Sequence, residues 1–213
     1  MRKAFALAGV AAIGIGAAVL TVATSHAGTT KAATGKAAAA ANLTIGTAVK
    51  AGSGCPQGDG STVKVSGTTV TVTFKNLKAT SGGSTPASGS RKNCQLSLSV
   101  TPARGYAVTI SGAKFDVATK LTAGRSARQL TSYHYTSAAS RTVTPAARTF
   151  TTAGSRTATV SHDAAALRSL GKSQCGKQDF VNVNTQALAT ASTAAINTIT
   201  VSKATVTLAA VKC

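Results

Sequence analysis

Four cysteines are the residues of this chain best suited to covalent chemistry: Cys55, Cys94, Cys175 and Cys213. An even number of cysteines in a chain that begins like an exported protein favours two disulfides. Cys55–Cys94 with Cys175–Cys213 is the most local pairing without crossing. Cys94–Cys175 with Cys55–Cys213, which would join the chain ends, stays open as the competing pairing. The chain has no Cys-x-x-Cys and its histidines are isolated in sequence, so we expect no metal site.

Side chains that could serve catalysis are sparse. There is no glutamate, and the acids are Asp59, Asp116, Asp163 and Asp179, which argues against the paired carboxylates of glycoside hydrolysis. No G-x-S-x-G elbow and no phosphate-binding loop occurs. Two S-x-x-K matches, at Ser61 and Ser169, lack the companion motifs of the serine acyl enzymes. We therefore expect no enzymatic activity, no catalytic residue and no cofactor.

The charge balance is strongly one-sided. Lys and Arg number 23 against four acids, which gives a formal net charge of +19. Such an excess makes the folded surface a positive field, and the partners that fit it are anionic polymers: teichoic acid, acidic polysaccharide or extracellular nucleic acid. A basic surface without a partner is the alternative. The candidate contact residues are Arg91, Lys92, Arg125, Arg128, Arg141, Arg148 and Arg156.

The N-terminus has the pattern of an export signal. Arg2 and Lys3 precede an uncharged stretch over residues 4–23, and Ser25-His26-Ala27 has the small-x-small form that signal peptidase accepts. We expect residues 1–27 to be a cleaved signal peptide, with an uncleaved membrane anchor as the alternative. Residues 28–51 are interpreted as a low-complexity basic linker, and residues 52–213 as one secreted domain. The mature protein is expected outside the cell, free or associated with the cell wall, with no membrane span.

Apolar residues alternate with Thr and Ser over much of the chain, which is typical of half-buried antiparallel strands. The sequence therefore predicts an all-β fold, an antiparallel β-sandwich with one short helix, held together by two disulfides. The alternating groups are Val63 and Val65, Val70 to Phe74, Leu96 to Val100, Val108 and Ile110, Phe115 and Val117, Val181 and Val183, Ile199 and Val201, and Val206 and Leu208.

Three segments depart from the alternation. Asp163 to Leu170 suits a short helix, with Asp163 as N-cap and Gly171 after its end. Residues 81–93 are predicted to be a loop because Gly, Ser and Pro dominate them. Residues 122–160 are ambiguous, since their alternation is poor and Pro145 interrupts them.

The contexts of the cysteines resemble the domain of unknown function 4360 (DUF4360) family. The resemblance covers nearly all of residues 52–213 and rests on the following motifs: Gly52-Ser53-Gly54-Cys55-Pro56-Gln57-Gly58, Phe74-Lys75-Asn76-Leu77-Lys78-Ala79, Ser90-Arg91-Lys92-Asn93-Cys94-Gln95-Leu96, Cys175-Gly176 and Asn182-Val183-Asn184-Thr185. It implies an exported, disulfide-bonded, β-rich protein and supplies no catalytic residue. The chain departs from the family's usual pattern in lacking Trp and in the residues that follow Tyr133-His134-Tyr135.

Three functions are compatible with these features. The first is a secreted, non-enzymatic protein that binds anionic cell-envelope or extracellular polymers through its basic surface. The second is a carbohydrate-active or carbohydrate-binding module, suggested by export and fold class. The third is a secreted inhibitor whose loop at residues 81–93 inserts into a partner protein.

Overall fold

The computed structural model describes residues 38–190 and 195–213, and nearly all of their regular structure is β-strand. The predicted signal peptide, residues 1–27, and residues 28–37 of the predicted linker lie outside the described residues. The strands are β1 Ala38–Ala40, β2 Leu43–Ala51, β3 Thr62–Ser66, β4 Thr69–Thr73, β5 Lys78–Ser81, β6 Arg91–Pro102, β7 Tyr106–Leu121, β8 Ala127–Tyr135, β9 Arg148–Phe150, β10 Gly154–Asp163, β11 Asp179–Ala189 and β12 Asn197–Lys212.

The strands form two antiparallel sheets, which confirms the predicted all-β sandwich. Sheet A has the order β1-β2-β6-β11-β8-β9, and sheet B has the order β10-β7-β12-β4-β3, with β5 also paired to β12. Alternate residues of both sheets are buried, and the core contains mostly Val, Leu and Ala. Its largest fully buried side chains are Tyr133, Tyr135 and Phe115. These two tyrosines therefore belong to the core and do not form a surface for stacking bases.

β-Bulges explain why the sequence shows two short apolar groups where the structure has one long strand. Val108 and Ile110 occupy even positions, Phe115 and Val117 occupy odd positions, and all four face the core from β7. The pairing of β7 with β12 shifts register between Thr207 and Leu208, and again between Val201 and Lys203. Each extra residue reverses the parity of the side chains, so a strand interrupted by a bulge has the sequence pattern of two strands.

The structure corrects the linker predicted over residues 28–51. Residues 43–51 form β2, which pairs with β6 inside sheet A, and Leu43, Ile45 and Ala48 are buried in the core. A register shift between Ile45 and Ala48 interrupts the alternation, so the apolar period is visible for only two residues at a time. Lys50, which contributed to the basic character of the predicted linker, forms an ion pair with Asp59.

The predicted short helix is present only as a turn followed by the 3-10 helix Arg168–Leu170. Its capping residues behave as expected: the Asp163 carboxylate accepts a 2.9 Å hydrogen bond from the Ala166 N–H, and Gly171 follows with a φ of 73°. A segment this short forms too few helical hydrogen bonds to offset the cost of nucleating a helix. No helix among residues 38–190 and 195–213 is long and apolar enough to span a membrane.

Two predicted irregular segments are partly strand. The loop expected at residues 81–93 is shorter, because Ser81 ends β5 and Arg91 begins β6. The ambiguous residues 122–160 contain β8, β9 and most of β10. Their alternation is hidden because polar Gln129 and Thr131 face the core from β8.

The disulfides are Cys55–Cys94 and Cys175–Cys213, so the local pairing is confirmed and the competing one is wrong. Cys55–Cys94 joins the segment after β2 to β6, and both of its sulfurs are buried in the core. Cys175–Cys213 joins the segment before β11 to the residue after β12, where both cysteines are exposed. The two bonds close loops of almost equal length but differ in access to solvent.

We expect a mild reductant under native conditions to open Cys175–Cys213 first. Thiolate attack requires access to the sulfur, and Cys55 and Cys94 are only 0% and 1% exposed. Alkylation followed by peptide mapping should label Cys175 and Cys213 alone, with the other pair labelled only after the chain unfolds. Equal labelling of all four cysteines in the folded protein would contradict the structure.

Candidate functional site

The motifs at residues 52–58 and 90–96 meet around the Cys55–Cys94 bond. The Gly54 N–H donates a 2.8 Å hydrogen bond to the Asn93 carbonyl oxygen. Gly52 adopts a φ of 142°, and a Cβ at this position would collide with the same carbonyl. The glycines are therefore required by close backbone approach, which gives the motifs a structural role in joining the end of β2 to the start of β6.

Strand register brings Arg91 and Arg128 into one row on the outer face of sheet A. Both residues are paired opposite Leu188, Arg91 from β6 and Arg128 from β8. Two strand spacings separate them, so their Cα atoms are about 10 Å apart. Both side chains are exposed, and the Arg91 guanidinium donates to the Gln186 side-chain oxygen at 3.1 and 2.8 Å.

Other predicted contact residues lie at the same end of the sandwich. In the next row of sheet A, whose side chains point to the opposite face from Arg91 and Arg128, Ala187 and Gln129 lie between Lys92 of β6 and Arg148 of β9. Arg125 is in the loop between β7 and β8, and Arg156 is close to the start of β10. We call this group the basic end, and it comprises Arg91, Lys92, Arg125, Arg128, Arg148 and Arg156.

The seventh candidate, Arg141, does not belong to this group. It follows Tyr135, at the opposite end of β8 from Arg128, and its guanidinium lies close to Gly171. Lys120, which the sequence reasoning missed, is instead part of the same end, since it is exposed and paired opposite Ser155 of β10. A sequence signal for Lys120 was available, because it lies one residue before the end of a strand and next to the loop that contains Arg125.

The four aspartates are engaged elsewhere. Lys50 pairs with Asp59 at 2.7 Å and Lys203 with Asp116 at 2.9 Å. Burial acts to raise the pKa of the Asp59 carboxyl, but hydrogen bonds from Lys50 and Ser61 outweigh it and hold that pKa below its usual value. The hydrogen bond and charge of Lys203 likewise lower the pKa of Asp116.

The remaining two acids satisfy nearby backbone and hydroxyl groups. Asp163 accepts from the Ala166 N–H, and Asp179 accepts from the Ser137 hydroxyl and from the Phe180 N–H. No acid occurs anywhere between residues 117 and 162, the stretch that contains four of the six residues of the basic end. The positive charge there has no carboxylate neighbour along the chain.

The buried pair Tyr133 and His162 is the other group of side chains whose chemistry could be functional. The Tyr133 hydroxyl lies 2.7 Å from His162 Nδ1, and the two rings meet edge to face at 5.8 Å. Burial raises the pKa of Tyr133, so the phenol keeps its proton, and burial lowers the pKa of His162. Neutral His162 therefore accepts a hydrogen bond from the Tyr133 hydroxyl at Nδ1. Tyr133 is 0% and His162 6% exposed, so both rings are almost fully shielded from solvent.

Neither histidine of the described domain contributes to a metal site. His162 faces the core, whereas Asp163, its neighbour in sequence, is exposed and caps a turn. His134 lies on the other face of β8 from Tyr133. Among the residues that the structure describes, no group of three His, Cys, Asp or Glu side chains could hold a metal ion.

We expect His162 to make the protein acid-sensitive. The pKa of His162 is lower in the folded state than in the unfolded chain. As the pH falls below about 6.5, the imidazole is therefore protonated in the unfolded chain while the buried ring stays neutral. Stability is therefore highest above that pH and decreases toward the folded pKa. His162→Gln should lower the free energy of unfolding at pH 7 but flatten its decrease between pH 7 and pH 5, measured by urea unfolding.

The matched control is His134→Gln, on the outer face of sheet A, which should leave the slope between pH 7 and pH 5 as in the parent protein. An identical slope for the parent and the His162→Gln variant would show that protonation of this ring does not limit stability in acid.

The comparison with protein families agrees with the geometry around the cysteines. The family model described as "Domain of unknown function (DUF4360)" matches residues 41–213, which begins close to the start of β2. No curated protein and no solved structure matches the chain significantly. Because the matched region contains both disulfides and both sheets apart from β1, the chain belongs to the DUF4360 family.

Proposed function

We propose that this protein is secreted and binds anionic polymers of the cell envelope or extracellular matrix through the basic end, without catalysis. The observation that supports the proposal most is the location of these six basic residues at one end of the sandwich: Arg91, Lys92, Arg125, Arg128, Arg148 and Arg156. These residues come from four strands and one loop. Because these residues are separated in sequence, a local run of basic residues does not explain the cluster.

The electrostatics favour a polymeric anion. The full chain has a net charge of +19, of which the predicted signal contributes only Arg2 and Lys3, and the charge that remains produces a field that concentrates anions at the surface and accelerates their association. The guanidinium groups present planar, paired donors that match carboxylate and phosphate oxygens. Since each aspartate already has a partner, none competes with an incoming polymer for these donors.

An extracellular location is supported by the cysteines. Both disulfides link segments far apart in sequence, and such bonds persist in oxidising compartments. The predicted signal over residues 1–27 supplies the export route. Association with the cell wall would follow from polymer binding, with no membrane anchor required. The carbohydrate-active and inhibitor functions, the latter through the loop after β5, stay as predictions without a specific contact that favours them over polymer binding.

Neutralising the basic end should weaken polyanion binding more than the same charge change elsewhere. We expect Arg91→Gln/Arg128→Gln to reduce affinity for heparin about tenfold or more, and to lower the slope of log affinity against log salt by about 1.5, because two charge contacts are lost. The matched control is Arg104→Gln/Arg141→Gln, which removes two exposed arginines outside the basic end. Titration calorimetry at several salt concentrations gives both quantities.

Equal losses in the two double variants would mean that net charge alone drives the binding, and the basic end would lose its role. Failure of the parent protein to bind heparin, polyphosphate or single-stranded DNA near physiological salt would remove the proposed function itself.

A further inference from the structure

The outer face of sheet A has a chemistry that net charge does not explain. Most side chains from β6, β11 and β8 that point away from the core are amides or hydroxyls, and Leu130, paired opposite Gln186, is an apolar residue among them. We call this surface the amide face, and it comprises Asn93, Gln95, Ser97, Asn182, Asn184, Gln186, Ser132 and His134. None of the four aspartates lies on it, because Asp59 and Asp179 are buried and Asp116 and Asp163 belong to sheet B.

The central row of the amide face has unused hydrogen-bonding groups. Gln95, Asn184 and Ser132 are paired across three neighbouring strands. Within residues 38–190 and 195–213, none of these side chains makes a hydrogen bond, and the Asn184 side-chain oxygen is buried without a partner. An unpaired buried acceptor destabilises the folded protein, so a ligand hydroxyl that reaches Asn184 after rotation of its amide would remove that penalty.

The rows on either side of the central row are held in place. Ser97 donates to the Asn182 side-chain oxygen at 2.6 Å, and the Asn182 amide donates to the Thr136 hydroxyl at 2.9 Å. On the other side Arg91 holds Gln186 through two hydrogen bonds. The free groups therefore lie between fixed neighbours on a rigid sheet, the kind of preorganisation that reduces the entropy cost of binding.

The ends of the amide face differ in character. Arg91 and Arg128 are at one end, in the row of Leu188. Phe180, with 42% of its surface exposed, is at the other end of β11. Eight residues of strand separate Phe180 from Leu188, which is about 27 Å. An extended polymer that lies along β11 would meet an aromatic ring, then amides, then two guanidinium groups.

We propose, on the basis of the polyanion-binding function above, that the amide face binds an extended acidic polysaccharide whose charges are carboxylates. Amides donate and accept hydrogen bonds at fixed positions, as neutral sugar hydroxyls require. Arg91 and Arg128 pair with the carboxylates, and Phe180 packs against the apolar side of a sugar ring. Nucleic acid fits less well, because single strands are held by several stacking aromatics and Phe180 is the one exposed aromatic on this face in the described chain.

The test uses the full mature protein and variants that leave its charge unchanged. Gln95→Ala/Asn184→Ala removes the free amides of the central row, and Gln174→Ala, an exposed amide away from the face, is the control. The probes are polygalacturonate, its carboxyl-reduced neutral form, and single-stranded DNA. We expect the double variant to lose about tenfold or more in affinity for polygalacturonate with little change for DNA, and the control to change neither. The neutral form should bind the parent protein more weakly than polygalacturonate.

The outcomes separate this inference from the proposed function. If the double variant binds polygalacturonate as well as the parent does, while Arg91→Gln/Arg128→Gln weakens every anionic probe, the amide face has no role but the polyanion function stands. If DNA binds more tightly than polygalacturonate and the amide variant weakens it equally, nucleic acid is the ligand and the inference is wrong. If no anionic probe binds the parent, both proposals fail. Thermal unfolding of each variant, with Tm unchanged, excludes loss of fold as the cause.

Discussion

The register of β6, β11 and β8 is the constraint on which the surface chemistry depends. Leu96, Val183 and Tyr133 form one row that faces the core, which leaves the adjacent row of Gln95, Asn184 and Ser132 on the outer face. A slip of one residue would bury these polar groups together with Arg91 and Arg128 and expose the apolar ones. The core thus fixes the outer face, and the Cys55–Cys94 bond ties β6 to the segment that follows β2.

Polar groups inside the sandwich make this packing more specific. Gln129 donates to the Thr131 and Thr185 hydroxyls at 2.6 and 3.1 Å, and Tyr133 bonds to His162 across the two sheets. The Tyr135 hydroxyl donates to the Val108 carbonyl, which also joins sheet A to sheet B, and burial raises the pKa of Tyr135 to about 12. Each partner would leave an unsatisfied group if the sheets shifted, so these bonds penalise alternative packings that a core of Val and Ala alone would tolerate.

The few acidic side chains are likewise used for specific local interactions. A chain with four acids cannot neutralise its cations, and each acid is used where it satisfies a particular local group: Lys50, Lys203, a turn after β10 or the start of β11. The excess positive charge is left on the surface, and strand order then decides where it collects. Arginines far apart in sequence lie at one end of the sandwich because the first residues of β6, β8, β9 and β10 are located there.

The amino-acid sequence by itself determined the class of structure: alternating Val and Thr specify strands, four cysteines specify two disulfides, and the scarcity of acids specifies a basic surface. It also named the arginines of the basic end, but placed Arg141 with them. Only the tertiary structure decided that residues 43–51 are a strand, that bulges join short apolar groups into β7 and β12, and that Gln95, Asn184 and Ser132 share a row. The reason is physical: alternation along a strand shows which face a side chain takes, whereas its neighbours across the sheet come from distant segments whose pairing no local pattern encodes.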